Sequence, residues 1–395
     1  MKNTVKNLAA TNSQKPAGKP RKDGYYMKIA PKAISQARND IATWKAALRQ
    51  ANQADSPKRI RLQNLYKDIL LDALLVSQIE NRKQQTLSSK FNIKDKSGKV
   101  NEEVTAMLKQ APWFLDLIKA ALDSVYQGPG IVELINDQLG MRMVAIPRNN
   151  IEPKTGTLYF NEDDSKGIPY RELKEYGSWV YEFGNPEDLG ILNKAVPHVL
   201  FKRFAQSCWS ELCEIYGVPP RVLKTNTQDA TMLARGESMM RDMGAAAWFI
   251  IDESETFEFA KGTDSKGEVY ENLIKLCNNE ISLLISGAII GQDTKNGNES
   301  KETISIEMLE RLVDSDKTMV TSYLNNLVLP GLFKIGLIPD GLTAEYDPQE
   351  DISALWDMTA TAMEHMDVDP EWVKEKFGIQ VTGKKATPPS QFSFF

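Results

Sequence analysis

The stretch Phe201-Lys-Arg-Phe-Ala-Gln-Ser-Cys-Trp-Ser-Glu-Leu-Cys-Glu-Ile-Tyr-Gly-Val-Pro-Pro-Arg221 divides the chain in two. It predicts a helix from about Phe204 to Tyr216 that stops at Gly217-Val218-Pro219-Pro220, because neither proline supplies the backbone donor a continuing helix needs. Before it, between Ile131 and Leu200, short apolar segments such as Ile131-Val-Glu-Leu-Ile135 and Trp179-Val-Tyr-Glu-Phe183 alternate with Gly, Pro, Asn and Asp clusters. That pattern predicts strands. Further upstream, apolar residues recur at helical spacing over Ala33 to Ala51, Leu62 to Gln84 and Ala111 to Tyr126, the last halted by Gly128-Pro129-Gly130. The N-terminal half therefore reads as α+β.

After the stop come Arg221-Val-Leu-Lys224, a helix near Asp229 to Met243, and two expected strands, Ala247 to Asp252 and Thr256 to Phe259, joined as a hairpin. A helix over Ser265 to Ser286 is expected to bury Val269, Leu273, Leu276, Cys277, Ile281, Leu284 and Ile285. Its other side carries Glu268, Glu271, Asn272, Lys275, Asn278, Asn279 and Ser282. Gly287 to Lys301 reads as an exposed loop. Glu302 to Leu329 reads as the longest helix, ended by Pro330-Gly331, and two acidic helices follow near Asp351 to Glu364 and Pro370 to Phe377. Residues 1 to 24 are Lys-rich and poor in core-forming residues, and read as a basic disordered arm, as residues 381 to 395 read as a disordered tail.

The composition, 42% apolar and 26% charged over 395 residues, is that of a globular protein of two or three domains. Its longest apolar stretches, such as Met243 to Ile251, are about half a membrane span, so no membrane partner is expected. No secretory signal is apparent either, and a cytoplasmic site of synthesis and assembly is expected. Three cysteines and two histidines exclude a disulfide framework and a Cys/His zinc module. The net charge of −5 argues against a nucleic-acid partner until it is mapped. Residues 1 to 61 hold fourteen Lys/Arg against three Asp/Glu, a balance of +11, so the remaining 334 residues carry −16; Asp340 to Glu375 alone hold eleven acids against one lysine. The two ends are built for different partners.

Candidates for chemistry are thin. Gly378-Ile-Gln-Val-Thr-Gly383-Lys384-Lys385 has the spacing of a phosphate loop, but lacks the magnesium-binding hydroxyl and runs into Ala386-Thr-Pro-Pro389 rather than a helix. Asp252, Glu258 and Lys261 suggest a metal-dependent nuclease or other DNA-processing enzyme. Asp367-Val-Asp369-Pro370 reads as a helix entry. His198, after Pro197, is expected just before an apolar strand, and His365 at a helix end; Cys208 and Cys213 are expected to serve packing. No catalytic constellation and no cofactor are expected.

The opening stretch resembles the "W…fae.yG.P" signature of the Mu-like bacteriophage portal family. Three further segments match in order. Tyr66-Lys-Asp-Ile-Leu-Leu-Asp-Ala-Leu-Leu-Val-Ser-Gln-Ile-Glu-Asn-Arg-Lys83 resembles that family's early helix ending in Arg-Lys. Tyr126-Gln-Gly-Pro-Gly-Ile-Val-Glu133 resembles its strand entry, and Cys277-Asn-Asn-Glu-Ile-Ser-Leu-Leu-Ile-Ser-Gly-Ala-Ile-Ile-Gly-Gln292 its "cd.eis..ilGqt" segment. Where the family carries a Gly-Ser-rich stretch, this chain has Asp293-Thr-Lys-Asn-Gly-Asn-Glu-Ser300.

The resemblance implies a ring-forming, non-enzymatic portal fold, mainly helical with small β elements, at a capsid vertex of the virion. Through it double-stranded DNA is packaged and ejected, without sequence specificity. The implied partners are further copies of the chain, typically making a dodecamer, the terminase large subunit, the major capsid or scaffold protein, and a head-completion or tail adaptor. It also implies an assignment of segments. Residues 25–203 would be the wing, 204–220 the first stem helix, 221–264 the clip, 265–286 the second stem helix, 287–301 the tunnel loop, 302–339 the long wing helix and 340–380 the crown. The tunnel loop would present Lys295, Asn296, Asn298 and Lys301 to DNA. The second stem helix would line the channel with Glu268, Glu271, Lys275 and Asn279. The clip would meet terminase or the adaptor through Arg221, Lys224, Arg235, Arg241, Glu253 and Glu255. A head adaptor or scaffold protein without enzymatic activity is the other structural reading.

Overall fold

The computed structural model describes residues 31–379 except 139, 162–163, 165, 218–220, 243–247, 253, 255–266, 290–298, 348–351 and 367. The basic arm, Glu253, Glu255, Glu258, Lys261, Lys295, Asn296, Asn298 and the C-terminal tail lie outside the described residues. Along the chain run α1 (Pro31–Ala51), α2 (Ile60–Ile69), α3 (Ala73–Ser88), β1 (Phe91–Lys94), α4 (Glu102–Gln110), α5 (Pro112–Gln127), β2 (Gly130–Asp137) and β3 (Gly140–Ala145). The short strands β4 (Ile151–Glu152), β5 (Thr157–Leu158) and β6 (Ile168–Pro169) follow, then β7 (Val180–Phe183) and α6 (Leu192–Gly217). The second half holds β8 (Arg221–Thr225), α7 (Ala230–Asp242), β9 (Trp248–Asp252), α8 (Glu268–Ser286) and α9 (Glu299–Tyr323). It ends with α10 (Leu329–Lys334), β10 (Thr343–Tyr346), α11 (Ile352–His365) and α12 (Pro370–Phe377).

The described residues form two compact units, one drawn from residues up to 75 with 192–284, the other from 76–191 with those from 285 on. In the first, α1, α2 and α6 pack together, burying Ala47 and Ala51 of α1, Leu62, Tyr66 and Ile69 of α2, and Leu192, Ala195, Val196 and Val199 of α6. Each large apolar side chain so buried contributes roughly 1.5–3 kcal/mol. Trp44 Nε1 donates to Asn193 Oδ1 at 3.0 Å, fixing α1 against the start of α6. In the same unit β8 and β9 pair in parallel, with α7 between them in sequence, a β-α-β arrangement; the second strand of the expected hairpin, Thr256 to Phe259, lies outside the described residues. Gly236 lets α7 lie close to that ribbon: a Cβ there would stand 2.8 Å from Leu223 Cδ2.

In the second unit the antiparallel sheet β3-β2-β7 packs against α5 and the α9–α10 region around Phe114, Leu117, Val132, Leu134, Tyr181, Phe183, Val320, Leu324 and Val328. β1 pairs with β10 in register Phe91↔Tyr346 to Lys94↔Thr343, closing a loop of some 250 residues. Residues 343–346, expected within an acidic helical segment, are therefore a strand of this core. β4-β5-β6 is a small antiparallel sheet, and Glu182 of β7 gathers its neighbourhood. Its carboxylate accepts from Tyr170 Oη at 2.8 Å, Tyr176 Oη at 3.0 Å and Arg171 Nη2 and Nε at 2.7 and 2.9 Å.

Three helix boundaries differ from expectation. Leu62 to Gln84 is broken at Leu70–Asp72, because the Asp72 carboxylate accepts from the Leu75 N–H at 3.0 Å and caps a new helix. The opening helix starts at Leu192 rather than Phe204 and runs through Pro197, so His198 lies within a helix and not before a strand. The long helix begins at Glu299, so Lys301 is helical rather than on a loop. It also does not end at Pro330-Gly331: a π-turn over Leu324–Val328 leads into α10, where Pro330 occupies a first-turn position whose missing N–H is cheap.

Candidate channel and docking surfaces

The helix expected to face a channel, α8, begins after Gly267 and ends at Ser286. In the unit it mostly belongs to, Cys277, Ile281 and Ser282 are buried, and burial pushes the Cys277 thiol's pKa up. Glu268 and Lys275 are exposed, with Glu271 and Asn279 half-buried, and Lys275 Nζ pairs with Glu271 at 2.5 Å one turn away. Four of the expected face residues thus share one region of the helix. Two other expectations fail. Ser282 is buried, while Val269 and Leu276, placed on the packing side, are 62% and 55% exposed. With Leu283, 45% exposed, they form an apolar series at every seventh residue, interleaved with the polar one. A purely polar outer face would have needed Ser282 outside and Val269, Leu276 and Leu283 covered.

The end of α8 is held by polar contacts within the second unit. Arg82 of α3 is buried and donates from Nε and Nη2 to both oxygens of Asp316 on α9, each at 2.7 Å, and from Nη1 to the Ile285 carbonyl at 2.9 Å. Burial opposes the charge, but the hydrogen bonds and charge of Asp316 outweigh it and hold the guanidinium's pKa above its ordinary value. One turn before Arg82 on α3, Gln78 Oε1 accepts from Ser286 Oγ at 2.5 Å. Next along α3, Lys83 is paired with Asp123 at 2.8 Å and Glu80 at 2.9 Å. Gly287 then takes a left-handed turn, φ +71°, against Leu312 of α9. At the far side of residues 290–298, α9 exposes Ile304, Ile306 and Met308 in its first turns.

The segment expected to contact terminase or an adaptor is the β8-α7-β9 unit. Lys224, Arg235 and Arg241 are exposed on it, and Arg221 starts β8; Arg241 lies 4.0 Å from Glu237. Met232 and Met239, about half exposed and seven apart on α7, add an apolar element that charge counting missed. β8 and β9 pair only with each other among the described residues. At the end of β9, the Asp252 carboxylate accepts from Ser254 Oγ and N and from Thr227 N and Oγ1. These bonds, Ser254's first, hold its pKa well below the usual carboxylate range. That residue stitches the ribbon's loops together. Asp369 likewise caps α12 by accepting from the Glu371 N–H at 3.0 Å, and Gly378 ends that helix in a left-handed conformation, which accounts for the first glycine of the phosphate-loop-like stretch. His365 is exposed at the end of α11, and Cys213 is exposed on α6.

Sequence reasoning also missed what the opening stretch does. Its Lys202 makes a buried ion pair with Asp72 at 2.8 Å, and Arg203 pairs with Asp68. Both acids lie in the Tyr66–Lys83 segment. Spacing on one helix cannot reveal a partner 130 residues away.

No helix among the described residues is long and apolar enough to cross a membrane. A solved structure titled "Neck of empty GTA particle computed with C6 symmetry" aligns with 78% of this chain and 90% of its own, at 12% identity and a TM-score of 0.49, a likeness on which nothing further rests. The "Portal protein" of Escherichia phage Mu is 22% identical over 347 residues, covering 80% of this chain and 66% of that protein, so this chain spans just under two thirds of that relative's length. The family described as "Portal protein of Mu bacteriophage" matches residues 63–379, taking in almost every element from α2 to α12, and the chain belongs to that family.

Proposed function

We propose that this chain is a portal subunit: copies of it form a ring at a capsid vertex, through which double-stranded DNA is packaged and ejected and to which the tail is joined. The observation that carries this reading is the family match over residues 63–379. In the proposed plan α6 is the first stem helix, now from Leu192, and α8 the second. The β8-α7-β9 unit is the clip that meets terminase or an adaptor. Residues 287–298 are the tunnel loop, α9 the long helix beside it, and α11 with α12 the crown. The capsid or scaffold protein meets the outer wall, and host cytoplasm is the place of assembly. The role is structural rather than enzymatic.

Several features support self-association. The apolar residues of α8 (Val269, Leu276, Leu283) and of α9 (Ile304, Ile306, Met308) are the kind that a neighbouring copy would cover. The charge distribution suits a conduit. Each Lys or Arg bound to phosphate adds salt-dependent affinity, so a body carrying −16, with a cation such as Lys275 already paired to Glu271, surrounds DNA without gripping it. Negative-stain imaging and light scattering of the purified protein test the reading: rings are expected, and a persistent 44.4 kDa monomer under assembly conditions overturns it. Replacing Lys295 and Lys301 together by Ala is expected to lower packaged or retained DNA with ring assembly intact; unchanged DNA removes them from the mechanism.

A further inference from the structure

The last four carbonyls of a helix have no partner within it, and their placement decides how the chain leaves. In α8 one of these, Ile285 C=O, receives a guanidinium N–H from Arg82, and the adjoining Ser286 hydroxyl is fixed by Gln78. Gln78 and Arg82 stand four apart on α3 and so share one face of it. Arg82 spends its other two bonds on Asp316 of α9, and its charge sits 5.9 Å from the centre of the Tyr126 ring of α5. One buried side chain of α3 therefore touches three other helices. Without Asp316 the guanidinium would be a buried unpaired charge, and without Arg82 the end of α8 would lose its link to α9.

The geometry points to Arg82 as the positioning residue for the exit of α8: by holding the Ile285 carbonyl and the Asp316 carboxylate together, it locks that helix end to α9 and fixes residues 287–289. Lysine cannot substitute, since a point charge with a flexible stem does not span a carboxylate and a carbonyl in one plane. This inference goes beyond the portal reading and stands whether or not DNA passes along the chain, because it concerns the coupling of two helix ends in the folded protein.

The test is hydrogen exchange on the purified full-length protein, read segment by segment. The double variant R82M/D316L replaces the pair by apolar groups of similar size, a change that commonly preserves folding. The expected result is exchange ~10-fold or more faster at residues 284–289, about what one hydrogen bond to a charged donor is worth, with β2 and the start of α6 unchanged. R82K, which keeps the charge, is expected to show the same local loosening, and S286A a smaller one. Native-like exchange at 284–289 in folded R82M/D316L and R82K overturns the inference. A uniform rise across both units also overturns it, since Arg82 would then serve only overall stability.

Discussion

Asp72→Ala is expected to open the first unit far more than its single ion pair suggests. The Asp72 carboxylate does two things: it accepts from the Leu75 N–H at the start of α3, and it neutralises Lys202, whose side chain is 9% exposed against 6% for Asp72. Removing one partner of a buried pair strands the other charge and costs about 3–5 kcal/mol; the helix cap is worth ~1 kcal/mol of that. Asp72→Asn keeps an oxygen for the cap but still strands the ammonium, so it should recover only the cap's share. Lys202→Met combined with Asp72→Asn removes both charges and should return to within about 1 kcal/mol of the native protein. The neighbouring Arg203–Asp68 pair is the internal control. Its side chains are 34% and 48% exposed, so Arg203→Ala should cost no more than ~1 kcal/mol. Two compact units need not unfold together, so the assay is exchange of the slowest amides in α2 and α6 rather than one melting curve. Those amides should exchange over a hundredfold faster in Asp72→Ala. The reasoning is refuted if Asp72→Ala matches Arg203→Ala, or if the double variant is as open as Asp72→Ala.

Gly331→Ala would place a Cβ 2.4 Å from Tyr181 Oη and 2.9 Å from the Gly177 carbonyl, and should lower second-unit stability by ~1–3 kcal/mol, measured by denaturant unfolding. Glu182→Gln removes the charge on which Tyr170, Arg171 and Tyr176 converge; limited proteolysis should then cut within residues 148–176 sooner, and an unchanged digest would show that the convergence is dispensable. Asp252 binds a proton more weakly when folded than when unfolded, so its contribution is full above about pH 4 and is lost as pH falls toward its depressed value. Acid unfolding of the β8-α7-β9 region should therefore lose one component in Asp252→Asn, and superimposable acid profiles would contradict this.

Much of the fold was legible where local chemistry decides it. The expected helix over Ala111 to Tyr126 is α5, with Pro112 in its first turn and Gly128 at φ +79° past its end, and the segments from Ile131 and Trp179 are β2 and β7, paired with each other. What escaped was decided by distant partners. Leu62 to Gln84 keeps helical spacing through Leu70 and Leu71, yet Asp72 has a second use in the pair with Lys202, and the helix is interrupted there. β1 and β10 are four residues each and carry no signal until they meet. Pro330 reads as a stop, but the π-turn before it frees the helix to continue, and that turn aims Asn325 so that its amide bonds both the N–H and the carbonyl of Ala344 in β10. The candidate surfaces were half legible for the same reason. Charge placed Lys275, Arg235 and Lys224 outside, whereas the exposure of Leu276 and the burial of Ser282 follow from how α8 is turned, which its own pattern leaves ambiguous.

The four segments that resemble the portal family have a physical property in common. Asp72 and Asp68 of the first take Lys202 and Arg203 of the opening stretch as partners, within one unit. In the other unit, Gln78 and Arg82 of the first take Ser286 and Ile285 of the fourth, while Tyr126 of the second lies beside the guanidinium. Apolar contacts elsewhere in these cores tolerate exchange of one aliphatic side chain for another, at a cost usually below about 1.5 kcal/mol. A buried charge or a bidentate fork tolerates almost none. Sites of this kind dictate the identity of a residue rather than its class, so a reader of letters sees them first, even when the contacts that explain them join segments far apart in the chain. By that argument the exposed apolar series on α8 and α9, which needs only class, should accept Val269→Ile or Leu276→Met without loss of the self-association proposed for it. Leu276→Glu, which changes class, should abolish it, and sedimentation of the three variants decides the matter.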